Sequence, residues 1–240
     1  MAKKGMGFRL NNSFMWEDVG HNRNFQFSPE IMFGVSKKLM LHIEAFFSDK
    51  INQFSFNGGE FYSKYRFYSR DEIHNHFRMA TFARIAFRNT FISQPAIDLN
   101  NHNSGYELGI VATKLKNKIA LSSTVSLLHA MDNGANYKFP FSKKDRTAIN
   151  YNLSIGKLLM PKEYINYNQT NVNGMLEFLC QTNVNSGKTF VDAAPVLQFI
   201  ILSKMRFDLG YRFPLSNDLL RIASKGFLLR FEYNIFNAFK

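Results

Sequence analysis

The chain has 240 residues, a formal net charge of +12, 45% hydrophobic residues and a mean hydropathy of −0.22. No apolar run approaches the roughly 18 to 20 residues that a membrane-crossing helix needs, which excludes a helical membrane protein. The 26 Phe and 10 Tyr against six Pro and one Trp suit strands, and the single Cys180 excludes an internal disulfide and a multi-cysteine metal site. The start, MAKKGMGFRL, carries two lysines and no apolar stretch. That start fits either a cytosolic protein or an exported one whose signal peptide has been removed.

Taken in chain order, alternation of apolar and polar residues predicts strands at 6–16, 25–35, 39–48, 60–69, 77–88, 106–115, 119–129, 147–158, 166–182, 189–202, 205–215 and 226–239. In the third, Leu39, Leu41, Ile43, Ala45 and Phe47 alternate with Met40, His42, Glu44 and Phe46. In the fifth, Phe77, Met79, Ala83, Ile85 and Phe87 alternate with Arg78, Ala80, Phe82, Arg84 and Arg88. The eleventh sets Phe207, Leu209, Tyr211 and Phe213 against Arg206, Asp208, Gly210 and Arg212; the twelfth sets Phe227, Leu229, Phe231, Tyr233 and Ile235 against Leu228, Arg230, Glu232 and Asn234. Side chains of a strand point alternately to its two faces, so each run has one greasy and one polar face. Helices would need apolar spacing of three and four, which these runs lack.

The connections alternate in length. Short pieces fall at 36–38, 69–76, 116–117, 160–163 and 203–204, and longer polar loops at 17–24, 49–59, 89–105, 130–146, 183–188 and 216–225. An even strand number, short turns at one end, long loops at the other and both termini at the short end predict an all-β fold: a transmembrane up-and-down antiparallel barrel of twelve strands, forming one domain over residues 1–240. A soluble β-sandwich is the alternative. The polar parity favours the barrel, because it is rich in small groups (Ser122, Thr124, Ser126, Asn150, Asn152, Ser154, Gly156) that a confined, wetted interior accommodates.

The inward parity then carries Arg9, Lys64, Arg66, Arg78, Arg84, Arg88, Arg206, Arg212 and Arg230, opposed by Glu30, Glu44, Glu107, Glu177, Asp192, Asp208 and Glu232. Two readings of this lining stand side by side. The charges interlock with Tyr62, Phe82 and Gln198 and fill the lumen, because unpaired charges in a confined space are costly; or the excess of arginine lines a narrow, mildly anion-preferring path for a small solute.

The closing FLLRFEYNIFNAF resembles the C-terminal assembly signal of bacterial outer-membrane barrels, in which a terminal aromatic residue follows apolar residues at every second position. Phe239 takes the terminal place, preceded by Ile235, Tyr233 and Phe231; Asn237 stands where the pattern is apolar, and Lys240 extends beyond it. The stretches NGGEFYSKYRFYSRDEIHNHFRMATFARIAF, GYELGIVATKLKNKIALSSTVS and LLMPKEYINYNQTNVN are similar to transporter-like barrels of Bacteroidetes, akin to the putative phenol-degradation outer-membrane family. The resemblance implies an outer-membrane location and transport; it transfers no catalytic residue.

One stretch invites a reading as chemistry. In LNNHNSGYELG, His102 and Ser104 share a face if extended, and this H-x-S pattern is similar to that of outer-membrane phospholipase A, itself a twelve-stranded barrel. A serine nucleophile needs a base, and the base an orienting partner. Asn117 falls one residue too far and on the wrong parity, so the pair reads as part of a polar extracellular loop. His74 and His76 flank a turn without a third ligand, so no metal is expected there, nor any cofactor. The turn and loop lysines Lys37, Lys38, Lys116, Lys118, Lys143 and Lys144 lie in no phosphate loop or RNA-binding motif, so nucleic acid is not an expected partner. Anionic lipid and lipopolysaccharide are, with a small solute in the lumen and a protein on the long loops as further candidates. The expected function is passive transport or solute binding rather than catalysis, with a partner-binding barrel and a lipid-processing enzyme as alternatives.

Overall fold

The computed structural model describes residues 3–18, 23–49, 53–161, 163 and 169–239. Twelve strands are present: β1 (Met6–Glu17), β2 (Arg23–Gly34), β3 (Leu39–Ser48), β4 (Ser55–Glu72), β5 (Asn75–Arg88), β6 (Gly105–Lys116), β7 (Ile119–Ala130), β8 (Thr147–Met160), β9 (Asn171–Asn183), β10 (Thr189–Ile201), β11 (Met205–Asn217) and β12 (Ala223–Ile235). Each pairs antiparallel with its sequence neighbours, and β1 pairs with β12, which closes the barrel. Closure gives every strand two partners, so no edge is left with unpaired N–H and C=O groups. Among the described residues the only helical segment is a 3-10 turn at Lys143–Arg146.

The expected parity holds around the whole ring. The belt runs through Phe8, Leu10, Phe14, Ile31, Ile43, Phe61, Phe87, Leu108, Val125, Leu153, Leu176, Leu197, Leu209 and Phe231, all exposed, while the alternate positions beside them, Arg230 excepted, are buried or half-buried. A water-soluble barrel would invert this arrangement, since burying apolar area is its main source of stability.

Several boundaries differ from the periodicity reading. β4 begins five residues earlier than expected, and its ladder with β5 runs out to Glu72↔Asn75, leaving only Ile73 and His74 in the turn. A bulge between Arg66 and Tyr68 inserts an extra residue there. Phe67 and Tyr68 are consequently both exposed, and Ser69 and Asp71 take up the inward parity opposite Arg78 and His76. β9 begins at Asn171 rather than 166, and its connection to β8 is therefore longer than the expected turn at 160–163; residues 162 and 164–168 lie outside the described residues, as do 19–22 and 50–52 of two long loops.

β12 ends at Ile235, so Phe239 is not the last residue of a strand as the resemblance implied. The chain turns at Asn237 (φ 55°), the Ala238 N–H donates to the Lys4 carbonyl at 2.8 Å, and the Phe239 ring lies 6.3 Å from that of Phe33. The terminal aromatic thus reaches the apolar belt by folding back past the start of β1. Nitroxides placed at Leu209 and Leu229, in a Cys180→Ser background, should be relaxed by oxygen dissolved in the bilayer and not by a water-soluble nickel chelate; the reverse result would invert the two faces.

Candidate functional site

Barrel closure assembles a charge chain on the inner face. Arg9 stands opposite Glu30 of β2 on one side and Glu232 of β12 on the other, with contacts of 2.9 and 2.8 Å. Glu232 also meets Arg206 at 3.2 Å, Arg206 meets Asp208 at 3.3 Å, and Asp208 meets Arg230 at 3.7 Å. Arg230 donates to Asn11 at 3.0 Å and Asn11 to Glu44 at 3.1 Å, while Glu30 is bonded to His42. Charges of alternating sign therefore run from β11 across the seam to β3. Each carboxylate removed from bulk water keeps a cation or an amide donor, without which its desolvation would be uncompensated.

Two smaller groups stand apart from the seam. Arg84 pairs with Glu60 at 3.2 Å and with Glu107, which also accepts the Ser126 hydroxyl. Asp192, fully buried, holds Arg212 at 2.5 Å and the loop residue Arg221 at 2.7 Å. Register places Arg212 opposite Gly226, away from the seam cluster, and Asp192 takes it. Glu177 has no hydrogen bond or ion pair among the described residues and sits in the field of Arg230 and Arg206. Lys64, Arg66 and Arg78 lie toward the short-turn end, where Arg66 donates to the Lys37 carbonyl at 2.6 Å and Arg78 pairs with Asp71 at 2.9 Å.

Aromatic residues add bulk beside these ions. Tyr62 stacks on Phe82 at 5.8 Å and tilts against His42 at 4.8 Å. Phe82 in turn lies over Gly109, where a Cβ would come within 2.5 Å of its ring. On the strands that follow, the inward residues of β7 and β8 are small: Ser122, Thr124, Asn152 and Ser154 are half-buried, and Ser122 shares a 2.9 Å hydrogen bond with Thr113.

The 89–104 segment between β5 and β6 overturns one expectation. It is not a solvated extracellular loop: Ile92, Ala96, Ile97 and Leu99 are buried. It spans the interior at the long-loop end. Ile92, Ile97 and Leu99 cluster with Phe46, Leu128, Phe139 and Ala148, while Ala96 packs on Phe190 and Leu219. The backbone of Ile97 is held at both its N–H and its C=O by the Gln181 amide, each at 2.8 Å, and the Ile222 N–H donates to Gln94 at 3.0 Å. On the other wall Arg84 donates to Asn100 at 2.6 Å, and Gln26 reaches the Asn100 carbonyl. Irregular backbone is tolerated at such depth only where side chains or other backbone satisfy its polar groups.

Arg88, among the inward residues expected from parity, is bound to this segment. It is buried, donates twice to the Leu99 carbonyl at 3.1 and 3.2 Å, and lies 3.3 Å above the Phe46 ring. The β7–β8 loop buttresses the segment from above. Asn133 donates to the carbonyls of Thr90 and His102 at 2.7 and 2.8 Å and accepts from the Ser104 N–H at 2.6 Å. In the same loop the Phe139 amide and the Arg146 guanidinium hold the Asp132 carboxyl below the usual aspartate range.

His102 and Ser104 are part of this packing. The Ser104 hydroxyl accepts from the Arg88 N–H at 2.8 Å, and His102 Nδ1 faces the Ser93 hydroxyl at 3.4 Å. Asn117 sits in the hairpin turn at the opposite end of β6, with φ 54°. His76 is bonded to Asp71 at 2.8 Å, and His74 occupies the left-handed turn position beside it. Glu60 and His42 share the inward parity and were legible in principle; Gln181, Asn133 and Arg221 were not singled out, the last two because they lie in loops.

No family model and no curated protein sequence matches the chain. Solved structures do. The NanC porin is 9% identical, with 95% of this chain and 98% of that one covered and a TM-score of 0.53. Outer membrane phospholipase A from Escherichia coli is 11% identical, with 97% and 91% covered and a TM-score of 0.48. OccAB4 from Acinetobacter baumannii is 8% identical with a TM-score of 0.45; 93% of this chain is covered, and the chain spans 56% of the length of that longer barrel. The likeness is one of fold: a closed barrel of the bacterial outer-membrane type.

Replacing Glu232 by Leu leaves Arg9 and Arg206 short of a carboxylate and should destabilise the barrel by about 3 kcal/mol, seen as a lower temperature for the heated-versus-unheated gel shift. Phe231→Leu, one residue away on the outer belt, should stay within about 0.5 kcal/mol of the parent. Ser104→Ala should loosen the 89–104 segment, raising its cleavage by an added protease, while leaving lipid hydrolysis by the purified protein at its starting level. Calcium-stimulated phospholipase activity abolished by that substitution would make the H-x-S pair a catalytic one.

Proposed function

We propose that the protein is an outer-membrane barrel that passes or binds a small solute along a narrow, charged lumen. The observation that carries this reading is the combination of an apolar outer belt with an interior of ion-paired and small polar side chains, crossed by an inward-folded loop. The outer belt suits lipid, and long loops outward with short turns toward the periplasm is the orientation of bacterial barrels. The paired charges present alternating sign to a solute, so selection rests on where its own polar groups fit, while the Ser, Thr and Asn wall of β7 and β8 supplies neutral hydrogen-bonding groups. The 89–104 segment narrows the long-loop mouth.

Lipid is the surrounding partner in this reading, with lipopolysaccharide near the loop lysines Lys143 and Lys144. The likeness of three sequence stretches to transporter-like barrels of Bacteroidetes points in the same direction. His102 and Ser104 serve the packing of the loop rather than chemistry, because the serine hydroxyl is already bonded to the Arg88 backbone.

A second reading is favoured by the two apolar clusters around Ile97 and Ala96, which close the mouth as a core would. In it the barrel is a structural or partner-binding body whose long loops contact another protein. Planar-bilayer recording separates the two. The parent protein should give small, discrete conductance steps, and replacing residues 92–101 with a short Gly-Ser linker should enlarge them severalfold. Silence from both proteins, with folding confirmed by the gel shift, would favour the filled barrel.

A further inference from the structure

The interior is not neutralised evenly along its axis. In the middle and at the long-loop end carboxylates stand against the cations, Glu30 and Glu232 against Arg9, Glu60 and Glu107 against Arg84, and Asp192 against Arg212 and Arg221, but at the short-turn end the matching thins. A cavity of 310 Å³ there is lined by Lys37, Lys38, Lys64, Arg66, Arg78 and Thr113, with no carboxylate in its wall. Arg78 is offset by Asp71 at 2.9 Å, and Arg66 spends one donor on the Lys37 carbonyl. Lys64 projects inward from β4, half-buried, and forms no hydrogen bond or ion pair among the described residues; the charge that acts on it is Arg9, of the same sign.

The turns around this mouth repeat the imbalance. Lys4, Lys37, Lys38, Lys116, Lys118 and Lys204 lie in or beside them, against Asp71 and Glu72 of the β4–β5 hairpin and Glu163 of the β8–β9 connection. Fixed cations gathered in a recess with low-dielectric walls raise the local concentration of anions and give a small polyanion several donors at once.

We infer that this recess is a binding site for a small organic polyanion, one carrying a phosphate or clustered carboxylates, at the short-turn end of the lumen. The inference rests on the transport reading only for its purpose, since binding itself requires no conduction. Lys64 is its central contact: a half-buried ammonium without a counter-ion is stabilised by an anion placed against it. Arg66 supplies a planar fork suited to phosphate or carboxylate oxygens. Lys37 and Lys38, on the β2–β3 turn, stand at the rim and draw the ligand in.

The test uses calorimetric titration of the full barrel, in a detergent with a neutral headgroup, with citrate and with inorganic pyrophosphate. Saturable binding is expected, weakening as salt rises. Lys64→Met should weaken it by about tenfold, the loss of one close charge contact; Lys64→Arg should retain it. Lys116→Gln and Lys204→Gln, at exposed positions outside the recess, should leave it unchanged. The gel shift monitors folding of each variant, and Arg66→Gln takes the place of Lys64→Met if that chain does not fold.

Absence of binding in the parent, undiminished binding in Lys64→Met, or an equal loss in Lys116→Gln and Lys204→Gln would overturn the inference. Efflux of a neutral sugar from liposomes, measured in parallel, reports on transport alone. Sugar efflux without polyanion binding removes this site and spares the transport reading, whereas binding without efflux does the opposite.

Discussion

Closure of β1 onto β12 is the constraint on which the rest of the molecule depends. A sheet with one greasy face and one polar face cannot stand open in lipid, because its edge strands would leave N–H and C=O groups without partners in a medium that supplies none. Register carries the consequence inward. Met6↔Ile235 through Trp16↔Lys225 sets Arg9 beside Glu232, and the pairing of β1 with β2 sets it beside Glu30 as well. One arginine thereby ties the first, second and last strands, separated by almost the whole chain. A register slip by a single residue would turn that arginine toward lipid and Phe8 and Leu10 toward the lumen.

The interior answers two demands that pull against each other. Ions taken from bulk water must be paired, which favours a dense network, and the solute path proposed above needs room. The barrel separates these demands around its circumference: Arg9 and Arg206 with their acids crowd the seam and Arg84 with Glu60 and Glu107 forms a second group on β4 to β6, while β7 and β8 keep Ser, Thr and Asn. Gly109 allows the Phe82 ring to lie flat on the wall between them. At the long-loop end the demands are met differently. There the 89–104 segment brings its own apolar residues, and Gln181, Arg88 and Asn133 satisfy its backbone, so irregular chain is packed where strand would otherwise border open space.

The axial sequence of these regions gives the lumen a polarity: an apolar and amide-bonded constriction at the loop end, an ion-paired waist, and a cationic recess beside the short turns. The phospholipase-like spacing of His102 and Ser104 falls within the constriction. Two residues apart, they would share a face in an extended strand, yet each is bonded to a different part of its surroundings, Ser104 to Arg88 and His102 to Ser93. Spacing alone is a weak guide where the chain is not a strand.

Period-two alternation by itself determined the twelve strands, their up-and-down order and the face on which Arg9, Glu30, Glu44, Lys64, Arg84, Glu107, Arg206, Asp208, Arg230 and Glu232 stand, because strand geometry couples position in sequence directly to side. Glu60 and His42 stand on the same inward face, the first at the start of the apolar pattern of β4 and the second carrying no formal charge at neutral pH, so parity marks their side but not their partners. Partner choice within a face was decided only by register: Arg212 goes to Asp192 and not to the seam, since a neighbour two residues along differs from one directly opposite by several ångströms. The inward course of the 89–104 segment was decided only by tertiary structure. Its apolar residues have no helical or strand period, and what buries them is a cavity mouth built by Phe46, Leu128 and Ala148 around Ile92, Ile97 and Leu99 and by Phe190 around Ala96. Such a mouth exists only once the ring has closed.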